Sequence, residues 1–181
     1  IAAHQIAISV TSQLFMIPLS LAIALTIRVG MYYGEKNWLA MRQVQKVGLI
    51  SATIFAACTM ALIALARPYI VAIYTNDVHI MPIAMYLLWF AIAYQLVDGW
   101  QVSAAGCLRG MQDTQAPMWI TLMAYWVIAF PIGLYLARYT SWGVVGVWVG
   151  LIIGLTISCV LLIGRLYLNN KRLMQLTSSN P

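Results

Sequence analysis

The chain has 181 residues, 63% of them hydrophobic and 8% charged, with a formal net charge of +6. Soluble domains carry about a quarter charged residues, so this composition excludes an ordinary water-soluble domain and points to a polytopic membrane protein. The excess of positive charge is no nucleic-acid footprint, because Lys and Arg stand singly or in pairs at the ends of apolar runs.

A spanning helix needs about 20 largely apolar residues. Taken in chain order, the first such run covers residues 5–27 and is closed by Arg28. Gln5, Ser9 and Gln13, with Ser12 beside them, share one face, which must meet protein or water because lipid cannot satisfy it. Pro18 breaks the hydrogen-bond ladder of this span and marks a fixed bend or a hinge. A polar connector follows, in which Trp38 to Lys46 has the length for an interfacial helix. The second span, 47–66, lies between Lys46 and Arg67. "RPYIVAIYTNDVH" then reads as a connector, with Asn76-Asp77 as turn chemistry.

The third span, 81–108, is interrupted by a single charge, Asp98. In the connector "RGMQDTQAP", Gly110 suits a helix end and Pro117 a helix start. The fourth span, 116–137, carries Pro131, a second bend or hinge. The fifth, 142–164, places Gly146, Gly150, Gly154 and Ser158 four residues apart, a smooth stripe that admits a neighbouring backbone as a sliding or a static interface. Span three repeats the device with Gly99, Ser103 and Cys107, and with Gly106 and Gly110. The fold class expected is an all-α, polytopic membrane bundle of five helices with a tail at 165–181.

Lys and Arg are distributed unequally between the two ends. Arg28, Lys36, Arg42, Lys46, Arg109, Arg165, Lys171 and Arg172 gather on one side, against Arg67 and Arg138 on the other. The basic side is expected to be cytoplasmic, which puts the C-terminus inside and Ile1 outside. An outside start, an odd span count and an abrupt "IAAHQ" opening predict a piece of something longer. Cys58, Cys107 and Cys159 lie inside apolar runs without metal or disulfide spacing and read as small packing residues. His4 and His79 stand alone near span ends, with no second metal ligand at a useful spacing.

Asp98 lies roughly 24 Å into its helix from Pro82 and roughly 16 Å before Arg109. An Asp near mid-membrane costs about 3 kcal/mol on insertion scales, so such a residue is a functional candidate by default. Tyr94 one turn before it and Gln101 nearly one turn after it point to the same side. A phenol, a carboxylate and an amide on one stripe offer oxygens to a desolvated cation or partners to a protonated acid. The plainer alternative is a carboxyl that ties two helices together.

"AAHQIAISVTSQLFMIPLSLAIALTIRVGMYYGE", "AIAYQLVDGWQVSAAGCLRGMQDT", "AYWVIAFPIGLYLA" and "VWVGLIIGLTIS" resemble the C-terminal half of a multidrug and toxic compound extrusion (MATE) transporter of the NorM type. The resemblance covers essentially the whole chain, and "YQLVDGWQ" followed by "LRGMQDT" is its most specific part. It implies helices eight to twelve of a twelve-helix, two-lobe bacterial inner-membrane protein, so that residues 1–181 form most of the C-terminal lobe. The N-terminal lobe and a helix-seven Glu would then be missing partners. It further implies export of cationic and amphipathic drugs in exchange for Na⁺ or H⁺, with no cofactor beyond the coupling ion. Asp98 and Tyr94 would form the cation (Na⁺) site, with Gln101, Gln5, Ser9 and Gln13 as auxiliary lining. Tyr94, Trp100, Tyr125 and Trp126 would offer aromatic faces to drugs, while Pro131 and the glycines 146, 150 and 154 would permit repacking. Rival readings are a lipid-linked precursor flippase of the same superfamily, a membrane enzyme and a non-transporting structural subunit. The enzyme lacks an HExxH pair or a phosphate loop, and the flippase lacks mid-bilayer Lys or Arg.

Overall fold

The computed structural model describes residues 2–74, 79–140 and 142–178, the side chains of 2–4 and 176–178 excepted. The expected turn at Asn76-Asp77 and the side chain of His4 lie outside the described residues. Within them the chain forms α1 (Ala2–Leu14), α2 (Met16–Gly34), α3 (Trp38–Tyr74), α4 (Ile80–Gly110), α5 (Gln115–Met123), α6 (Phe130–Tyr139) and α7 (Val144–Ser178). A π-helical stretch, Ala124–Ala129, joins α5 to α6. By length and composition five units can cross a membrane: Gln5–Gly34, Trp38–Tyr74, Ile80–Gly110, Gln115–Tyr139 and Val144–Gln175.

Several helices outrun the apolar runs that announce them. Trp38 to Lys46 is no separate interfacial helix but the opening of α3, where the Asn37 side chain accepts the Ala40 N–H at 3.1 Å. That contact caps the helix start. At the far end α3 runs through Pro68 to Tyr74, where a connector was expected. Proline leaves the carbonyl four residues back without its N–H partner, and here Arg67 Nε donates to that Ala64 oxygen at 3.2 Å. Pro18 and Pro131 do interrupt their spans. The first lies just after the break at Phe15 between α1 and α2, and the second is the second residue of α6, two positions beyond the π stretch.

Helix α4 occupies the middle of the bundle, with α1, α2, α3 and α7 packed around it, while α7 also carries α5, the π stretch and α6. Lipid tails are as apolar as leucine, so helix association in a bilayer leans on close backbone packing. The small residues supply it. A Cβ on Gly106 would stand 2.6 Å from the Ala22 carbonyl oxygen, and one on Gly110 2.7 Å from that of Thr26. Thr26 adds a hydrogen bond across the same seam, its hydroxyl donating to the Gly106 carbonyl at 2.9 Å. Gly110 therefore serves packing, and the left-handed residue that turns the chain after α4 is Gln112, φ 64°. On α7 the glycine stripe meets the fourth span: a Cβ on Gly150 would lie 2.5 Å from Gly133 backbone, and one on Gly154 2.5 Å from Ala129. Cys107 and Cys159 are buried packing residues as expected, whereas Cys58 is exposed.

Candidate functional site

Along α4 Asp98 lies about 27 Å from Ile80 and about 18 Å from Gly110, well inside a span. It is 2% exposed, and its Oδ2 has no hydrogen-bond partner among the described residues. A buried polar atom is ordinarily bonded, and an orphan calls for a reason.

Around this carboxylate the bundle gathers hydroxyls and an amide from three spans. Tyr94 stands one turn before Asp98 on α4, and Tyr125, the second residue of the π stretch, lies close to both. The Tyr125 hydroxyl donates to Gln101 Oε1 at 3.3 Å, and Gln101 Nε2 donates to Ser158 Oγ on α7 at 2.9 Å. The result is a directed relay from Tyr125 through Gln101 to Ser158, with Tyr94 and Asp98 alongside it.

Two cavities open beside the relay. Tyr94 and Trp148, edge to face at 6.4 Å, line a cleft of about 440 Å³ together with Ile8, Thr11, Ser12 and Phe15. Tyr125 lines another, of about 310 Å³, with Trp126, Phe130, Leu151 and other apolar neighbours. Polar atoms in an apolar wall, beside a space large enough for an organic molecule, match the general make-up of a ligand site. No group of three His, Cys, Asp or Glu that could hold a metal occurs among the described residues, and the cluster holds a single carboxylate.

The structure brings together Asp98, Tyr94 and Gln101 of the expected set and leaves others apart. Ser9 pairs with the Tyr74 hydroxyl at 3.2 Å, while Gln5 and Gln13 are exposed on α1. Trp100 turns to α3, donating to Thr53 Oγ1 at 2.8 Å, and lines neither cavity. Sequence reasoning read Tyr125 as an aromatic face and Ser158 as one more small residue of a stripe. Their bonds to Gln101 cross 24 and 57 residues of sequence, and nothing local announces them. A faint sign was that Ser158 is the one hydroxyl in an otherwise glycine series.

A protein-family model described as MatE matches residues 1–135. The chain is 72% identical over 175 residues to a "Probable multidrug resistance protein NorM" of Acinetobacter baylyi, covering 97% of this chain and 39% of the relative. It is 40% identical over 172 residues to a protein of the same name from Xanthomonas campestris pv. campestris, covering 95% and 38%. Among solved structures, one titled "Crystal structure of MATE in the bent conformation" superposes with a TM-score of 0.90 at 19% identity, over 98% of this chain and 39% of that one. The chain thus spans about two-fifths of the length of the curated relatives it matches.

Proposed function

We propose, from the premise that this chain belongs to the MatE family, that it forms the ion-coupling part of a secondary multidrug efflux antiporter. The antiporter exports cationic and amphipathic compounds from a bacterium across its inner membrane, in exchange for inward Na⁺ or H⁺. Its basic end faces the cytoplasm. Asp98 and Tyr94 receive the coupling cation, and Gln101, Tyr125 and Ser158 hold the surroundings of that site. The observation that carries this reading is the buried Asp98 carboxylate whose Oδ2 lacks a partner among the described residues, set beside a hydrogen-bonded relay and two cavities.

Asp98 brings the one negative charge of the cluster, and the Tyr94 and Tyr125 hydroxyls are rotatable dipoles that can turn oxygen or hydrogen toward it. A cation bound there draws the Tyr94 oxygen inward. The Tyr94 and Tyr125 hydroxyls are close enough to feel one another's dipoles, so that movement acts on Tyr125 and the change passes along the relay to the π stretch and α7. Tyr125 also lines the apolar cavity, so ion and organic ligand act on one residue from opposite sides. An ion drives export only by binding the two states unequally, and the relay provides a route for that difference. The remaining oxygens of a cation's shell come from water or from segments outside this chain, a helix-seven Glu among them.

Dye efflux from energised membrane vesicles tests the proposal, comparing wild type with Asp98→Asn at matched expression. Dye movement triggered by a Na⁺ step in wild type alone identifies sodium coupling through Asp98. A response to a pH step alone, lost in the variant, identifies proton coupling through the same residue. Equal ion-driven transport by both proteins would reduce Asp98 to a helix tie and overturn the assignment.

A further inference from the structure

At the basic end of the bundle, α3 and α7 both continue beyond their apolar stretches and meet each other. Asn170 Nδ2 donates to Gln45 Oε1 at 2.6 Å, and Arg42 Nη1 reaches the Met174 sulfur at 3.3 Å. Beside these ties lies a cavity of about 320 Å³ lined by Arg42, Tyr167, Asn170, Lys171, Met174 and Gln175. It lies apart from the Asp98 cluster and shares no residue with it.

Charge and depth together define its ligand. The chain has four acidic residues. Asp98 is buried mid-span, Asp113 is engaged by Arg165 in the one ion pair among the described residues, Glu35 is not among the described residues that line this cavity, and Asp77 lies outside the described residues. No described carboxylate pairs with Arg42 or Lys171, and the thioether facing Arg42 is a weak acceptor. Lys46 and Arg165 mark where the apolar stretches of α3 and α7 end. Arg42 stands about 6 Å beyond the first and Lys171 about 9 Å beyond the second, counting helical rise. The headgroup layer adds about 5 to 8 Å to each side of the hydrocarbon core, and a lysine stem can bend back toward it. Tyr167, about 3 Å past Arg165, sits where tyrosines favour the interface.

We infer that this cavity between α3 and α7 binds the headgroup phosphate of an anionic phospholipid, Arg42 and Lys171 engaging the phosphodiester while Tyr167 and Met174 flank its apolar root. The guanidinium offers paired donors to two phosphate oxygens and the ammonium a point charge. The lipid bridges two helices that belong to different spans, so it reinforces their contact at the membrane surface.

Native mass spectrometry of the delipidated full-length protein tests this, with phosphatidylglycerol, phosphatidylethanolamine and inorganic phosphate as probes. Wild type is expected to retain phosphatidylglycerol over phosphatidylethanolamine. Arg42→Gln with Lys171→Gln should lower that retention about 25-fold, roughly fivefold per basic residue at an anionic surface. Arg28→Gln with Arg109→Gln removes equal charge from the same end outside the cavity and should keep most of it, as should the exchange Arg42→Lys with Lys171→Arg. Equal losses in the two charge-removing pairs would show diffuse attraction and overturn the site. Displacement of the lipid by equimolar inorganic phosphate would make this a soluble-anion site and overturn the lipid assignment. Wild type without headgroup preference would overturn it with no variant needed.

Discussion

Asp98 and Asp113 stand 15 residues apart in the sequence and are treated in opposite ways. Asp113 Oδ2 accepts from Arg165 Nε at 2.8 Å and from Asn169 Nδ2 at 2.9 Å. Its partial burial works to raise its pKa, but those two bonds and the Arg165 charge outweigh it and hold the carboxyl below the ordinary carboxylate value. Asp98 is more deeply buried, forms no ion pair among the described residues, and leaves Oδ2 unpartnered among them. A carboxylate that ties helices together looks like Asp113, with its oxygens claimed from within the chain. Asp98 Oδ2 lacks that signature among the described residues, and the two roles, coupling site and helix tie, are separated by experiment.

The sharpest way to break the contrast is Asp98→Asn. If the acid couples ion to drug, ion-driven efflux should fall roughly 5- to 150-fold, the span of typical coupling free energies, with folding intact because the amide keeps the shape. In purified wild type, the coupling ion should raise the unfolding temperature, as any ligand of the native state does, and the variant should lose that response. Next in size is Gly150→Leu. Its Cβ alone would lie 2.5 Å from Gly133 backbone, so thermal unfolding in detergent should show a loss of about 1–3 kcal/mol or more. Gly164→Leu, which meets nothing within 4 Å, should be silent in the same assay.

Tyr125→Phe sharpens the comparison from the other side. It removes the donor to Gln101 Oε1 and should cost about 1–3 kcal/mol in stability for the acceptor left unpaired. It should also weaken the apparent affinity for the coupling ion, whereas Phe130→Leu, outside the relay, should leave that affinity unchanged. The smallest effect belongs to Asp113→Asn, at about 0–1 kcal/mol for a partly exposed pair. Its sign in pH is fixed. Because the folded carboxyl is held below its ordinary value, its contribution is complete above about pH 4 to 5 and is lost as pH falls through the lower folded pKa. Acid unfolding of wild type and Asp113→Asn should therefore converge at the low end.

Much of this was legible in the chain itself. Apolar runs between charges marked five spans because the bilayer accepts little else, and the same logic exposed Asp98 with Tyr94 and Gln101 on its stripe. Helix ends were misjudged where a helix leaves the membrane, since α3 before Lys46 and α7 after Arg165 continue as ordinary polar helix. Hydropathy does not register that. The far end of α3 was missed because Arg67 supplies the partner for the carbonyl that Pro68 leaves free, an event decided by one side chain. The relay was illegible for a different reason. Its bonds join residues on separate helices, so only the packing of α4 against α7 and the π stretch creates them. Gln5 and Gln13 shared a face with Ser9, but a common face did not give them a common neighbour.

The π stretch also resolves a mismatch of phase. Gly154 meets both Ala124 and Ala129, two residues five apart, which an unbroken α-helix would set about 140° out of step. In that unbroken helix the companion of Ala124 would be Ile128, a bulky side chain pressed onto a glycine seat. One wider turn, with its i→i+5 bond, substitutes the alanine for the isoleucine without interrupting the span. The extra residue works like the offset on a vernier scale, bringing two unequal rulings into coincidence at one mark. Removing Ile128 altogether should then be milder than replacing Ala129 with isoleucine, because the deletion leaves the two alanines in step on a plain α-helix. A deletion variant less stable to heat than Ala129→Ile would show that the wide turn serves something other than registry.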